Sequence, residues 1–403
     1  MTNVESGALK IIQTLRNAGY AAYYAGGWVR DFLLDHPSDD IDIATDAKPE
    51  KIVELFQKTI EVGISFGVVV VLMDGHQYEV ATFREDLGYE DGRRPTQCAY
   101  TNAEGDAKRR DFTINGMFYD PLEKNVIDFV DGRKDLEKGV IRAIGDPYER
   151  FKEDRLRMIR AIRFTYRFGY ALDPDTEQAI KDHAHCLFPA VAMERVWHEL
   201  QKMARYPSFG EALLKMHAVG LLAEVFPPLK KVPEIELLKR VEAINRFPLE
   251  CPAVLQVMEL FPNSPLEEQV AFCYYLKVSN KEIKLVEYTH QVRTQVSDQD
   301  ADWVPLYAHP QAETVLQVVC ARKNGGQFQV HRERMDRLRV HINRIVNQSP
   351  VVSASMLLEE GIVPGRQMGE LLREAERLAI SHDLHLPEEV LLLLKKQTVW
   401  SKE

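Results

Sequence analysis

The chain has few cysteines, no long apolar run and no surplus of positive charge, and each shortage excludes something. Its five cysteines, Cys98, Cys186, Cys251, Cys273 and Cys320, are scattered without paired spacing, which supports neither a disulfide framework nor a zinc site. No apolar stretch approaches the roughly 18 residues of a membrane span; residues 391–394 are far too short. The opening residues, MTNVESGALK, carry no basic-then-apolar leader pattern, so a reducing, cytoplasmic compartment and no membrane partner are expected. With 51 Lys and Arg against 61 Asp and Glu, a net charge of −10, the chain is no indiscriminate polyanion binder. A nucleic-acid partner stays open, because local basic patches rather than the total decide such binding. There is no internal repeat and no low-complexity segment. What remains is 403 residues of ordinary folded composition, 45% hydrophobic and 28% charged, long enough for more than one core.

Residues 1–140 read as mixed α and β. A helix is expected over 8–18, strands over 21–25 and 41–44, and a helix over 49–58 opened by Pro49. Two β-rich runs, 66–73 and 77–83, are joined by a turn containing Asp74-Gly75. A polar, arginine-bearing loop follows at 84–95. Beyond Asp146-Pro147 the pattern is almost wholly helical, punctuated by glycine and proline. The expected fold class is α+β: a head with a mixed sheet over residues 1–140, a helical neck over 141–205, and an all-α body and tail over 206–403.

The chemistry concentrates in the head. Gly26-Gly27 lies between a strand and a helix, where bare backbone N–H groups approach phosphate oxygens. Arg30 adds a charge for the same phosphates, and Asp31 adjoins it. Asp40 and Asp42 flank one residue of a β-like run, so period 2 turns both carboxylates to one face. Paired carboxylates are what two-metal nucleotidyl transfer needs to hold divalent ions. Glu79, on a strand expected nearby, is the candidate third carboxylate. A helix is expected over 148–168, with Asp146 as N-cap, Pro147 at its first position and Gly169 at its end. Asp154, Arg157, Arg160 and Arg163 recur along it every three residues.

The ordered segments GGWVRD, DDIDIAT, YEVATFR, EDGRRP, RRDFTING and EDRLRMIRAIRF span residues 20–170. Together they resemble the bacterial-type (class II) tRNA nucleotidyltransferase and poly(A) polymerase family of the polymerase-β superfamily. The likeness extends weakly to MERVWHEL at 193–200 and to residues 361–372. It implies a polymerase-β-like nucleotidyltransferase head that uses Mg²⁺ at Asp40 and Asp42. Asp111 and Asn115 would contact the sugar hydroxyls, with Arg110 supporting the nucleotide. Asp154 and Arg157 would read the base: an acceptor and a donor match the donor–acceptor edges of adenine and cytosine and oppose those of uracil and guanine. Arg160 and Arg163 would serve phosphate, primer or the orientation of Arg157. The loop 84–95 resembles one that members adding the terminal A retain. The family usually has alanine where this chain has Gly116.

The implied activity is template-independent addition of C and A, or of the terminal A alone, to the tRNA 3′ end from CTP and ATP. The alternative is a poly(A) polymerase; a non-catalytic RNA-binding relative is the third reading. The sequence leaves open full CCA addition against A-only addition or tailing, the need for a partner CC-adding enzyme, and the oligomeric state. Arg332, Arg334, Arg337, Arg339 and Arg344 on an expected helix suit RNA phosphates or a solvated face equally well. His382-Asp383 lacks the upstream histidine that an HD-type phosphohydrolase would need.

Overall fold

The protein is described by a computed structural model covering residues 2–36, 38–61, 66–89, 95–322 and 326–400. It divides into two compact units, Met1–Leu238 and Lys239–Glu403.

In the first unit, α1 (Asn3–Asn17) starts at a capping box in which Thr2 and Glu5 satisfy each other's backbone N–H. It buries Ala8, Ile11, Ile12 and Leu15. The chain then forms β1 (Ala22–Ala25), α2 (Gly27–Leu33), β2 (Asp42–Thr45), α3 (Pro49–Leu55), β3 (Thr59–Ile60), β4 (Val68–Met73) and β5 (His76–Thr82). Asp74 and Gly75 both take positive φ and close the β4–β5 hairpin, as their sequence predicts. The loop expected at 84–95 is instead largely ordered: β6 (Arg84–Tyr89) pairs antiparallel with β7 (Pro95–Tyr100) in a separate two-stranded ribbon. Its tip, residues 90–94, lies outside the described residues. Six residues on each side suffice for strand pairing, which the charged composition obscured.

After α4 (Ala103–Lys108) and a 3₁₀ turn (Thr113–Asn115), β8 (Phe118–Asp120) and β9 (Asn125–Ile127) complete a seven-stranded mixed sheet. Its order is β3-β4-β5-β2-β1-β8-β9. The central β2 runs antiparallel to β1 and parallel to β5, with Ile43 opposite Val80. Then follow α5 (Gly132–Lys138), β10 (Val140–Ile141), α6 (Pro147–Glu153), α7 (Leu156–Phe168), β11 (Ala171–Leu172), α8 (Pro174–His183) and α9 (Met193–Met203).

The helix expected over 148–168 is two helices. Asp146 caps α6 through Tyr148 N–H, and Gly169 ends α7 at φ 67°, both as expected. Asp154, however, is extended (φ −143°, ψ 104°) and its Oδ1 accepts from Leu156 N–H at 3.1 Å. Asp154 is thus the C-cap of α6 and closes a short turn onto α7, whose N-cap is Arg155. Phe151, Ile159 and Ile162 are fully buried.

In the second unit every element among the described residues is helical. A fully buried Glu259 is held by Arg293 (2.9 Å) and Arg322. The arginine-rich run is two helices, Gly326–Arg337 and Arg339–Val346. Most of its cations are already paired: Arg334 and Arg337 with Asp300, Arg339 with Asp336, and Arg344 with Glu376. Among the described residues, Arg332 alone of the five has no acidic partner.

Candidate active site

A cavity of about 630 Å³ in the first unit is lined by the β1–α2 corner, β2, the 109–115 segment, α7 and α9. The corner is set by Gly26, whose φ of 68° and ψ of −130° suit glycine alone. A Cβ there would lie 2.9 Å from Arg110 Nη1 and 3.9 Å from Asp42 Oδ2, so absence of a side chain brings all three together. Gly27 opens α2 beside it.

Arg30 borders the cavity but is 3% exposed. Its Nε donates to Asp31 Oδ1 (2.8 Å), its Nη1 donates to Asn115 Oδ1 (2.5 Å), and the guanidinium stands 4.8 Å from the Phe168 ring centroid. Burial lowers its pKa, against the pull of Asp31. Asp31 does not border the cavity: it holds Arg30 and accepts from Arg167 (3.3 Å), so its place is behind the phosphate corner rather than in it.

Asp42 faces the cavity from the first position of β2, while Asp40 precedes the strand. Glu79 lies on β5, the strand hydrogen-bonded to β2, and one step back along the Ile43–Val80 register aligns it with Asp42. Asp42 keeps contact with solvent, yet atoms crowded around its carboxyl desolvate it. This burial, then the charges of Asp40 and Glu79, push its pKa up to about 6, with Arg110 opposing. Carboxylates that resist one another's ionisation are a donor set that a divalent cation relieves. The three are not all within 4.8 Å of one another, and Asp40 and Glu79 stand off the cavity wall.

The opposite wall is a lattice of arginines and carboxylates. Asp106, almost fully buried, binds both Arg109 (2.7 Å) and Arg110 (3.0 Å). Asp111 accepts from Asn115 Nδ2 (3.0 Å) through Oδ1 and from Arg160 through Oδ2 (2.9 and 2.5 Å). Burial disfavours its charge, but the Arg160 guanidinium and the Asn115 amide outweigh burial and hold the carboxyl well below the usual range. Arg163 donates to Glu199 (2.5 Å). Asp154 takes both Arg195 nitrogens (3.2 and 2.8 Å), and Arg157 donates to Glu153 (2.6 Å) and to the Arg109 carbonyl (3.0 Å).

The cavity therefore gathers Gly26, Gly27, Arg30, Asp42, Arg110, Asp111, Asn115, Asp154, Arg157, Arg160 and Arg163, and leaves out Asp31, Asp40 and Glu79. Sequence reasoning missed Arg109, Arg167, Arg195, Lys202, Arg205 and Tyr206 on its walls. For Arg195 and Glu199 the signal was present, since both fall in the 193–200 segment at helical spacing. At Gly116 an added Cβ would meet Val130 Cγ2 at 2.6 Å, so here valine fills the space that an alanine methyl would take.

A second cluster lies in the other unit, where ligand atoms of His341, Asp383 and His385 fall within 4.8 Å of one another. Arg344 Nη2 approaches His341 Nδ1 at 2.5 Å, which makes Nδ1 the acceptor and leaves Nε2–H to donate to Asp383 (2.8 Å). A metal on Nε2 would force the proton onto Nδ1, against Arg344. The cluster is a hydrogen-bonded clasp between helices, and Asp383 finds its histidine at 341 rather than at the adjacent 382.

A mixed-sheet head followed by helices, with a glycine corner, carboxylates and arginines on one cavity, defines a nucleotidyltransferase. Family models agree: the Poly A polymerase head domain matches residues 22–142, and the probable RNA and SrmB- binding site of polymerase A matches residues 169–232. The CCA-adding enzyme of Lactobacillus helveticus is 35% identical over 379 residues, 94% of this chain and 93% of that protein. That of Enterococcus faecalis is 34% identical, covering 97% and 95%. The crystal structure of the Bacillus stearothermophilus CCA-adding enzyme in complex with CTP matches at a TM-score of 0.81, with 29% identity and 98% of each chain covered. This chain belongs to the CCA-adding enzyme family, within the class II tRNA nucleotidyltransferases and poly(A) polymerases. It is an enzyme of the nucleotidyltransferase class, whose family typically uses a divalent metal. Among the described residues no helix is long and apolar enough to cross a membrane.

Proposed function

We propose that the chain adds C and A to the 3′ end of tRNA from CTP and ATP, with residues 1–140 as catalytic head, 141–205 as base-reading neck and 206–403 as tRNA-binding body and tail. The observation that carries this reading is that a base-reading pair, Asp154 and Arg157, borders the same cavity as Gly26, Gly27 and Asp42. The 3′ hydroxyl of the RNA attacks the α-phosphorus of the bound triphosphate, its proton is lost to solvent, and the bond to the departing pyrophosphate breaks.

Asp40 and Asp42 would hold Mg²⁺, which would supply charge to activate the attacking hydroxyl and steady the leaving pyrophosphate. Gly26 and Gly27 admit the phosphates to the backbone, and Arg110, tethered by Asp106, lies beside them. Asp111 and Asn115 present polar atoms toward the sugar; Arg160 keeps Asp111 ionised and fixed. Asp154 accepts from the exocyclic amine of cytosine or adenine while Arg157 donates to the neighbouring ring nitrogen. The five free cysteines fit a reducing, cytoplasmic compartment.

The deciding experiment incubates the protein and Mg²⁺ with tRNA ending before CCA and with tRNA ending in CC, supplying CTP and ATP singly and together. Addition of CC from CTP and then one A from ATP is expected. A long ladder from ATP alone would mean a poly(A) polymerase, addition only to the CC-ended tRNA would mean an A-adding enzyme, and no extension would reject the assignment.

A further inference from the structure

We propose that a second cavity in the first unit, separate from the one above, binds a nucleotide: an aromatic base carrying phosphate. This cavity also measures about 630 Å³, within the usual size of a small-ligand site. It shares only the 108–115 stretch with the first cavity, through Lys108 and Thr113, and none of the same lining residues.

Its walls carry Lys108, Lys134, Lys138, Arg142 and Arg150 together with Asp131 and Asp135; Lys108 is paired with Glu104, Arg142 with Asp135 and Asp173, and Arg150 with Glu153. Asp135 is already engaged, accepting from Thr113 Oγ1 (2.8 Å) and Arg142 Nε (3.0 Å). Lys134 and Lys138 are one turn apart on α5, so their ammonium groups sit on one side of the helix. Neither has an acidic partner among the described residues, whereas Arg133 pairs with Glu137 on the same helix. Two like charges set side by side over a concavity repel each other and are relieved by an anion.

Phe129 supplies the second half of the recognition. It lines the cavity just ahead of α5 and is 40% exposed, an apolar ring held at the rim rather than in the core. An exposed aromatic beside a cationic wall is the arrangement that stacks a base while its phosphate meets lysine. A bare phosphate would leave both the ring and most of the volume unused. The occupant is either a free nucleotide or an unpaired nucleotide of an RNA strand.

The full-length protein with Mg²⁺ separates these. Labelled ATP is titrated by equilibrium dialysis, and a short oligoadenylate by fluorescence anisotropy, against wild type, the double variant Lys134→Glu/Lys138→Glu and Phe129→Ala. Nucleotide addition to tRNA and circular dichroism serve as controls for the first cavity and for folding. Two ATP per chain in wild type and one in both variants, with addition unchanged, establishes a free-nucleotide site. One ATP per chain throughout, with oligoadenylate binding weakened about tenfold in both variants, establishes an RNA-nucleotide site. One ATP per chain with oligoadenylate binding unmoved overturns the proposal, as does an effect of the lysines without one of Phe129.

Discussion

Replacing Gly26 by alanine should unfold the first unit far more readily than the same change one residue later. Gly26 sits at φ 68° and ψ −130°, a backbone region that costs an L-residue about 1–3 kcal/mol. Its new Cβ would also arrive 2.9 Å from Arg110 Nη1, so the guanidinium must retreat. Arg110 donates to Asp106 at 3.0 and 3.3 Å and to the Asn115 carbonyl at 3.4 Å; loosening these adds about 1 kcal/mol, since Arg109 still neutralises Asp106.

The sum is a loss of about 2–4 kcal/mol. Gly27→Ala meets nothing closer than 3.5 Å and gains about 0.5–1 kcal/mol of helix preference at the start of α2. The neighbouring substitutions thus differ in sign, by about 3 kcal/mol, or about 8 °C in melting temperature. Urea denaturation of both variants, with CTP and ATP addition assayed alongside, measures this. Nucleotide addition should fall in both, because either methyl crowds the phosphates, while stability falls only in the first. Equal stability of the two variants would refute the reasoning. In the double variant Gly26→Ala/Arg110→Ala the steric part should vanish and the backbone part remain.

Arg195→Lys keeps the charge but gives up the two-pronged grip on Asp154, so UTP and GTP should be misincorporated about tenfold more often relative to CTP and ATP, read from single-nucleotide addition assays. Glu259→Gln leaves Arg293 and Arg322 facing a neutral buried partner and should cost about 3–5 kcal/mol in urea unfolding of the second unit; a loss below 1 kcal/mol (roughly the size of a surface pair) would mean the pair is dispensable. The raised pKa of Asp42 predicts a pH effect on stability in divalent-free buffer. The folded state binds this proton more tightly than the unfolded chain, so the contribution is present below about pH 4 and is lost as pH rises through about 6. Solvent contact at Asp42 screens the nominal value, leaving about 1 kcal/mol. Melting curves between these limits should show the decline in wild type and not in Asp42→Asn.

Much of this was legible beforehand, and for identifiable reasons. Local chemistry announced the head: a glycine pair between strand and helix, an Asp-Gly turn between alternating runs, Asp146-Pro147 to open a helix and Gly169 to close one. Each depends on neighbours in sequence, which is what a sequence displays. The readings that changed depend on partners far along the chain. Asp154 breaks its helix while gripped by Arg195, forty-one positions away. Asp31, grouped in sequence with the nucleotide-binding residues, is spent on Arg30 and on Arg167, which lies 136 positions on. The cationic row of the second unit looked available because Asp300 and Glu376, which occupy it, are distant in sequence. The pairing of β6 with β7 was hidden by charge, since a run this rich in acidic and basic residues shows no apolar alternation to recognise.

Asp154 and Arg157 are each engaged within the protein, one by an arginine fork and the other by a glutamate and two main-chain oxygens. In the proposed base-reading role, a matching base would trade these contacts for new ones of similar strength, whereas a mismatched base would break them and return none. Selectivity would then be separated from tightness: the base edge would act as a veto, while the sugar and phosphates would supply the hold.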